Sequence, residues 1–145
     1  MTTISNGAFK YCSRLTSVTI PNGVTTISNG AFKYCSRLSN VTIPNSVTVI
    51  SDGAFDGCSS LVSIEIPDSV TSTYGGAFFN CTSLTSVTVK ATTPPSLVID
   101  YDGYDPFNGC NQLGAFYVPA ESVDTYKSRS GWSRYEDKIQ AMPSD

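Results

Sequence analysis

The cysteines of this chain fall at Cys12, Cys35, Cys58, Cys81 and Cys110, at intervals of 23, 23, 23 and 29 residues, and four other columns move with them. Phe9, Phe32, Phe55, Phe78 and Phe107 each stand three residues before a cysteine; Leu15, Leu38, Leu61, Leu84 and Leu113 each stand three after. The alternating pairs Val18-x-Ile20, Val41-x-Ile43, Ile64-x-Ile66, Val87-x-Val89 and Phe116-x-Val118 complete the unit. A single unit of this size cannot bury its own apolar face. Stacked units can, so a fixed period with leucine and alternating aliphatics in every copy predicts a solenoid with one continuous core.

Within the unit, the alternation after Leu15 predicts a short strand with one face inward, because successive strand side chains point to opposite faces. Pro21-Asn22-Gly23 and Pro44-Asn45-Ser46 end it, since proline removes a ladder donor and Asn and Gly accept turn geometry. Val24–Ile27 and Val47–Ile50 then predict a second short extended segment. Ser28–Phe32 is expected to open one helical turn, with Phe32, Cys35 and Leu38 on one inward stripe. Each repeat therefore reads as strand, turn, short strand, helical turn.

Composition excludes several functions. The chain has 145 residues, one domain by length, with 14% charged residues and a net charge of −3. Nucleic-acid binding needs a clustered positive field that this composition does not supply. No stretch approaches the ~20 apolar residues of a membrane-spanning helix, and Met1-Thr2-Thr3-Ile4 is not a charged-then-apolar leader. The absence of histidine removes chemistry that depends on an imidazole base or ligand. Zinc would need clustered ligands, and no C-x-x-C is present. The cysteine column is expected to be a buried, reduced core ladder. Coils ~4.8 Å apart lie within disulfide reach, yet in-register side chains point in parallel rather than toward one another. No cofactor is expected, and an enzyme is the least expected class: Asp100 and Asp105 sit in a loop without a second catalytic group.

The run Ile20-Pro21-Asn22-Gly23-Val24-Thr25-Thr26-Ile27, with Ala31-Phe32, Cys35, Leu38 and Val41, resembles the BspA-like leucine-rich repeats of bacterial surface proteins. It recurs through Val87, over more than half the chain. The resemblance implies a strand-rich α/β, right-handed leucine-rich-repeat solenoid, a cell-surface or secreted setting, and a role in adhesion or interaction.

Departures from the period divide the chain. Thr2–Val24 and Thr25–Val47 differ only at Thr16/Ser39, Ser17/Asn40 and Gly23/Ser46. The first coil lacks the polar cap that shields a solenoid end, so the chain is read as a fragment of a longer protein or a member with a short N-terminus. In the fourth unit Thr73 replaces an aliphatic and Lys90 stands where proline did. An irregular insertion follows at about 91–106. Residues 1–118 are expected to form the solenoid and 119–145 a short helical C-terminal cap that closes it. In the cap Glu121–Ser128 and Trp132–Ala141 read as helices separated by Gly131, and this run resembles the closing segment common in the family.

Since inward positions are fixed by packing, recognition is assigned to outward and irregular ones. Tyr101 and Tyr104 on the insertion are expected to contact a partner, aided by an adjacent hydroxyl-rich strand face around Glu65 and Thr88. Tyr11 and Tyr34, with Lys10, Lys33, Arg14 and Arg37, form a repeated basic and aromatic set; an ordinary solvated turn is the plainer reading. Asp100, Asp102 and Asp105 loosely resemble a calcium loop but lack the closing glutamate, so a solvated loop is expected. The leading expectation is an adhesion module binding a host or bacterial surface protein. A glycan-binding module, with Tyr101, Tyr104, Tyr11 and Tyr34 as stacking platforms, and a spacer or cap of a longer array are the alternatives.

Overall fold

The computed structural model describes residues 2–143. Two columns of short parallel strands run along the solenoid. One holds β1 (Thr3–Ile4), β3 (Thr26–Ile27), β5 (Val49–Ile50), β7 (Ser72–Thr73) and β9 (Ser96–Leu97), paired in that order. The other holds β2 (Ser17–Thr19) paired with β4 (Asn40–Thr42), then β6 (Ser63–Ile66), β8 (Ser86–Val89), β10 (Ala115–Val118) and β11 (Ile139–Ala141). Register partners such as Thr3 with Thr26 and Val18 with Val41 are one sequence period apart, so every inward residue meets its own equivalent in the next coil.

The core is a set of columns. Phe9, Phe32, Phe55, Phe78 and Phe107 stack face to face, with ring centroids 5.2 to 5.3 Å apart and planes within 8°. Cys35, Cys58 and Cys81 are buried, Cys12 and Cys110 partly so, and all five are free thiols. Each thiol from Cys35 on donates to the phenylalanine carbonyl of the preceding coil: Cys35 to Phe9 at 3.1 Å, Cys58 to Phe32 and Cys81 to Phe55 at 3.3 Å, Cys110 to Phe78 at 3.1 Å. Cysteine is thus a small hydrophobe that also satisfies a backbone acceptor. Burial, and then the neighbouring Cys35, push the Cys58 thiol up to about 12, which keeps it protonated and able to donate.

The expected helical turn is corrected. From Ser28 to Leu38 the chain makes successive i to i−3 turns, with Ala31 N donating to Ser28 O, Lys33 N to Gly30 O, Cys35 N to Phe32 O and Leu38 N to Cys35 O. The intervening N–H groups of Gly30, Phe32 and Tyr34 donate outward to Asp52, Ala54 and Asp56 of the next coil. A helix uses its interior N–H groups within itself; alternating inward and outward donors instead lets the turn column join the coils.

The closing segment is corrected in part. Ala120–Ser122 is a 3-10 turn leading into α1 (Val123–Ser128), but Ser133–Lys138 is 3-10 and Ile139–Ala141 is strand β11, not helix. That strand adds in parallel to β10, pairing Phe116 with Ile139 and Val118 with Ala141, and so covers an edge that would otherwise leave a row of unpaired groups. Tyr126 and Trp132 are fully buried and donate to Ala91 O at 2.5 Å and Pro95 O at 2.8 Å.

The insertion is also more ordered than its composition indicates. Ser72 pairs with Ser96, 24 residues on, so only one extra residue precedes β9. Ser86 pairs with Ala115, 29 residues on, which places the remaining extra length after Leu97.

Candidate interaction surface

A groove of about 580 Å³ runs along the turn side, parallel to the stacking direction. Its floor is the glycine column Gly7, Gly30, Gly53 and Gly76, all left-handed with φ between 62° and 72°. Glycine is needed there for the backbone angle and leaves the floor free of side chains. One wall is Asn6, Asn29 and Asp52; the other is Lys10, Lys33, Asp56 and Phe79. The loop bearing Asp100, Asp102 and Tyr104 borders the groove beyond Asp52 and Phe79.

That loop is held by its own turn. The Asp100 carboxylate accepts from the backbone N–H groups of Asp102 and Tyr104, both at 2.9 Å, and Asp100 N donates to Tyr104 O at 3.0 Å. It seats on Gly75: a side chain there would collide with the Asp100 backbone and stand 2.7 Å from Tyr104 O. The column reads Asn6, Asn29, Asp52, Gly75, so the one glycine in it marks where the loop docks. Tyr104 packs on Phe79 with centroids 5.1 Å apart, whereas Tyr101 is fully exposed. Burial, and then the charge of Asp100, raise the carboxyl of Asp52 above its ordinary range.

Asp105 departs from the expected solvated loop. It is 5% exposed; one oxygen accepts from Phe107 N at 2.7 Å, and the other accepts from the Arg134 guanidinium at 2.8 Å and the Tyr135 hydroxyl at 2.7 Å. It fastens the loop to the closing segment. Among the described residues, no three His, Cys, Asp or Glu side chains gather to hold a metal ion.

Tyr11 and Tyr34 stack at 5.1 Å, each with its neighbouring Lys10 or Lys33 ammonium 5.2 Å from the ring centroid. Both have positive φ, 64° and 61°, in a column that continues as Gly57, Asn80 and Gly109. Bulky residues rarely adopt this conformation, and the stack ends where the Tyr34 ring lies against Gly57, 2.5 Å from where a Cβ would be.

Glu65 and Thr88 lie elsewhere. They are register partners on β6 and β8 and line a separate groove of about 540 Å³ with Asn40, Thr42 and Tyr117. Glu65 pairs with Lys90 at 2.6 Å. None of the residues lining this groove lines the turn-side one, so the fold does not set the strand face beside Tyr101 and Tyr104. Part of the hydroxyl-rich surface is structural: Ser39 and Thr85 donate to Thr16 O and Val62 O of the preceding coil. Tyr117, next to Thr88 across the β8–β10 ladder, was not singled out by sequence because its column is threonine or glutamate in earlier coils.

No helix among the described residues is long and apolar enough to cross a membrane. No curated protein matches the chain. It is similar in fold to a leucine-rich cell surface protein of Faecalibacterium prausnitzii, with 26% identity and a TM-score of 0.71, over 99% of this chain and 34% of that one. A leucine-rich repeat protein of Bacteroides ovatus matches with 24% identity and a TM-score of 0.64, over 97% and 36%. The pneumococcal vaccine antigen PcpA matches with 18% identity and a TM-score of 0.70, over 99% and 40%. The chain thus spans well under half the length of these three. The BspA-type leucine-rich repeat region matches residues 2–130 in six copies, and the chain belongs to that family of surface-protein repeats.

Proposed function

We propose that this chain is an interaction module of a bacterial cell-surface or secreted protein, and that it binds a protein partner through its turn-side surface. The observation that carries the reading is Tyr101: a fully exposed aromatic on a loop fixed by the Asp100 turn and by Asp105, beside an open groove. Aromatic side chains are costly to leave in water and supply large contact area at interfaces. A rigid loop presents one without the ordering cost of a mobile segment. Tyr104, packed on Phe79, supports it from the groove side. The coils behind this surface spend their inward residues on packing. A surface role also agrees with the family and with the similar fold of the Faecalibacterium cell surface protein.

The test is a panel of purified extracellular-matrix and bacterial surface proteins, with a glycan array beside it, probed by the whole chain and by Tyr101→Ser/Tyr104→Ser. Saturable binding to a protein that the double variant weakens supports the reading. Binding confined to glycans, or to no member of either panel, contradicts it.

A further inference from the structure

The turn-side groove has a direction. At one end stands Lys10, exposed and without an ion pair among the described residues, in a stretch with no acidic residue before Asp52. Lys33 follows, its charge shared with Asp56 at 3.6 Å. At the other end stand the carboxylates of Asp52, Asp100 and Asp102 beside the Tyr104 and Phe79 rings. Backbone pairing with a ligand is largely closed off, since three of the four floor N–H groups, those of Gly7, Gly30 and Gly76, donate to Asn29, Asp52 and Asp105 of the next coil. Whatever lies in the groove is therefore read mainly by side chains, and the two ends select opposite charges.

Resting on the interaction role above, we propose that the groove receives an extended peptide segment of the protein partner, with a basic side chain at the Asp52–Asp102–Tyr104 end and an acidic one at Lys10. Carboxylates beside aromatic faces suit a guanidinium or ammonium, through charge and cation–π attraction together. Three coil steps of ~4.8 Å separate the Lys10 and Phe79 positions, about 14 Å, and an extended chain rises ~3.3 Å per residue, so the two charges should stand about four residues apart. The polar walls, with Asn6 and Asn29, favour a hydrophilic stretch between them.

The experiment uses the intact chain and blocked peptides of Ser, Thr and Gly that carry one Arg and one Glu at every spacing and in both orders, followed by amide NMR. The expected result is that one order, at a spacing of about four, binds best and shifts the amides of Lys10, Asp52 and Tyr104. Lys10→Gln should lower affinity about three- to tenfold for peptides with Glu but not for those lacking it, and Asp52→Asn/Asp102→Asn should do the same for Arg. Unfolding temperatures unchanged from the parent would show both variants folded, since these side chains are exposed and make no ion pair among the described residues. The proposal is overturned if order and spacing are without effect, if both variants weaken all peptides equally, or if a neutral oligosaccharide binds the groove more tightly than any peptide. Should no peptide shift the groove while Tyr101→Ser/Tyr104→Ser still weakens a protein partner, the groove assignment fails and the interaction role stands.

Discussion

Between Thr2 and Val89 each coil repeats one set of contacts; after Val98 the stretch from Phe107 to Val118 continues that set, but the loop before it and the closing segment after it add contacts that occur once. In the regular coils a phenylalanine stacks on its equivalent, a thiol donates to the carbonyl of the preceding coil, and turn N–H groups reach the next coil, over and over. In the closing region Trp132 reaches Pro95, Tyr126 reaches Ala91, and Asp105 gathers Arg134, Tyr135 and Phe107 N. Stability in the first region is shared among like units, as expected for a quasi-one-dimensional array. In the second it is concentrated in a few side chains without substitutes.

Trp132→Ala should show the largest loss, toward the upper end of about 3–5 kcal/mol for a buried aromatic truncation, since it also strands the Pro95 carbonyl. Chemical denaturation measures it; a loss under ~1 kcal/mol would make the closing region no more concentrated than the coils. Phe32→Ala should cost about 3–5 kcal/mol, and Phe9→Ala clearly less. Phe9 is 43% exposed and stacked on one side, while Phe32 is buried between two rings. Equal losses in this nearly identical pair would mean that position along the stack does not set the energy.

Asp105→Asn should cost ~1.5–3 kcal/mol, the range for hydrogen bonds to a charged group, because the amide keeps Phe107 N satisfied but not the guanidinium and phenol together. A neutral result would show that Arg134, itself partly exposed, is content with water. The smallest change is a gain. Thr73 sits fully buried in the column of Ile27 and Ile50, and its hydroxyl has no hydrogen-bond partner among the described residues. Thr73→Val should raise stability by ~1 kcal/mol, and a loss would point to an acceptor for that hydroxyl.

The same contrast explains what was legible in the sequence. Wherever a contact joins a residue to its own equivalent, the period alone exposes it, and so the strand columns, the phenylalanine stack and the cysteine ladder could be read directly. The turn column could not, because Phe32, Cys35 and Leu38 have helical spacing whether their N–H groups bond within a helix or alternately to the next coil. Trp132–Ala141 likewise carries helical spacing, yet the open edge of β10 draws Ile139–Ala141 into strand. Asp105 looked like its neighbours Asp100 and Asp102; its burial depends on Arg134 and Tyr135, some thirty residues on. Of the residues proposed for partner contact, Tyr101 and Tyr104 stand out as aromatics in an insertion. That the loop borders the groove beside Asp52 and Phe79 rather than the one lined by Glu65 and Thr88 follows from Gly75, whose meaning shows only once Asp100 rests against it.

Under the proposed function packing and recognition use different residues, and Tyr101→Ser separates them most directly, since Tyr101 is fully exposed. The measurement pairs affinity for a protein partner, identified with the parent chain, with thermal unfolding of the same samples. The predicted result is an affinity lowered about tenfold or more, as for an aromatic interface anchor, with stability unchanged within ~0.5 kcal/mol. Unchanged affinity together with a lowered unfolding temperature would contradict it and leave the loop as packing for the last coil.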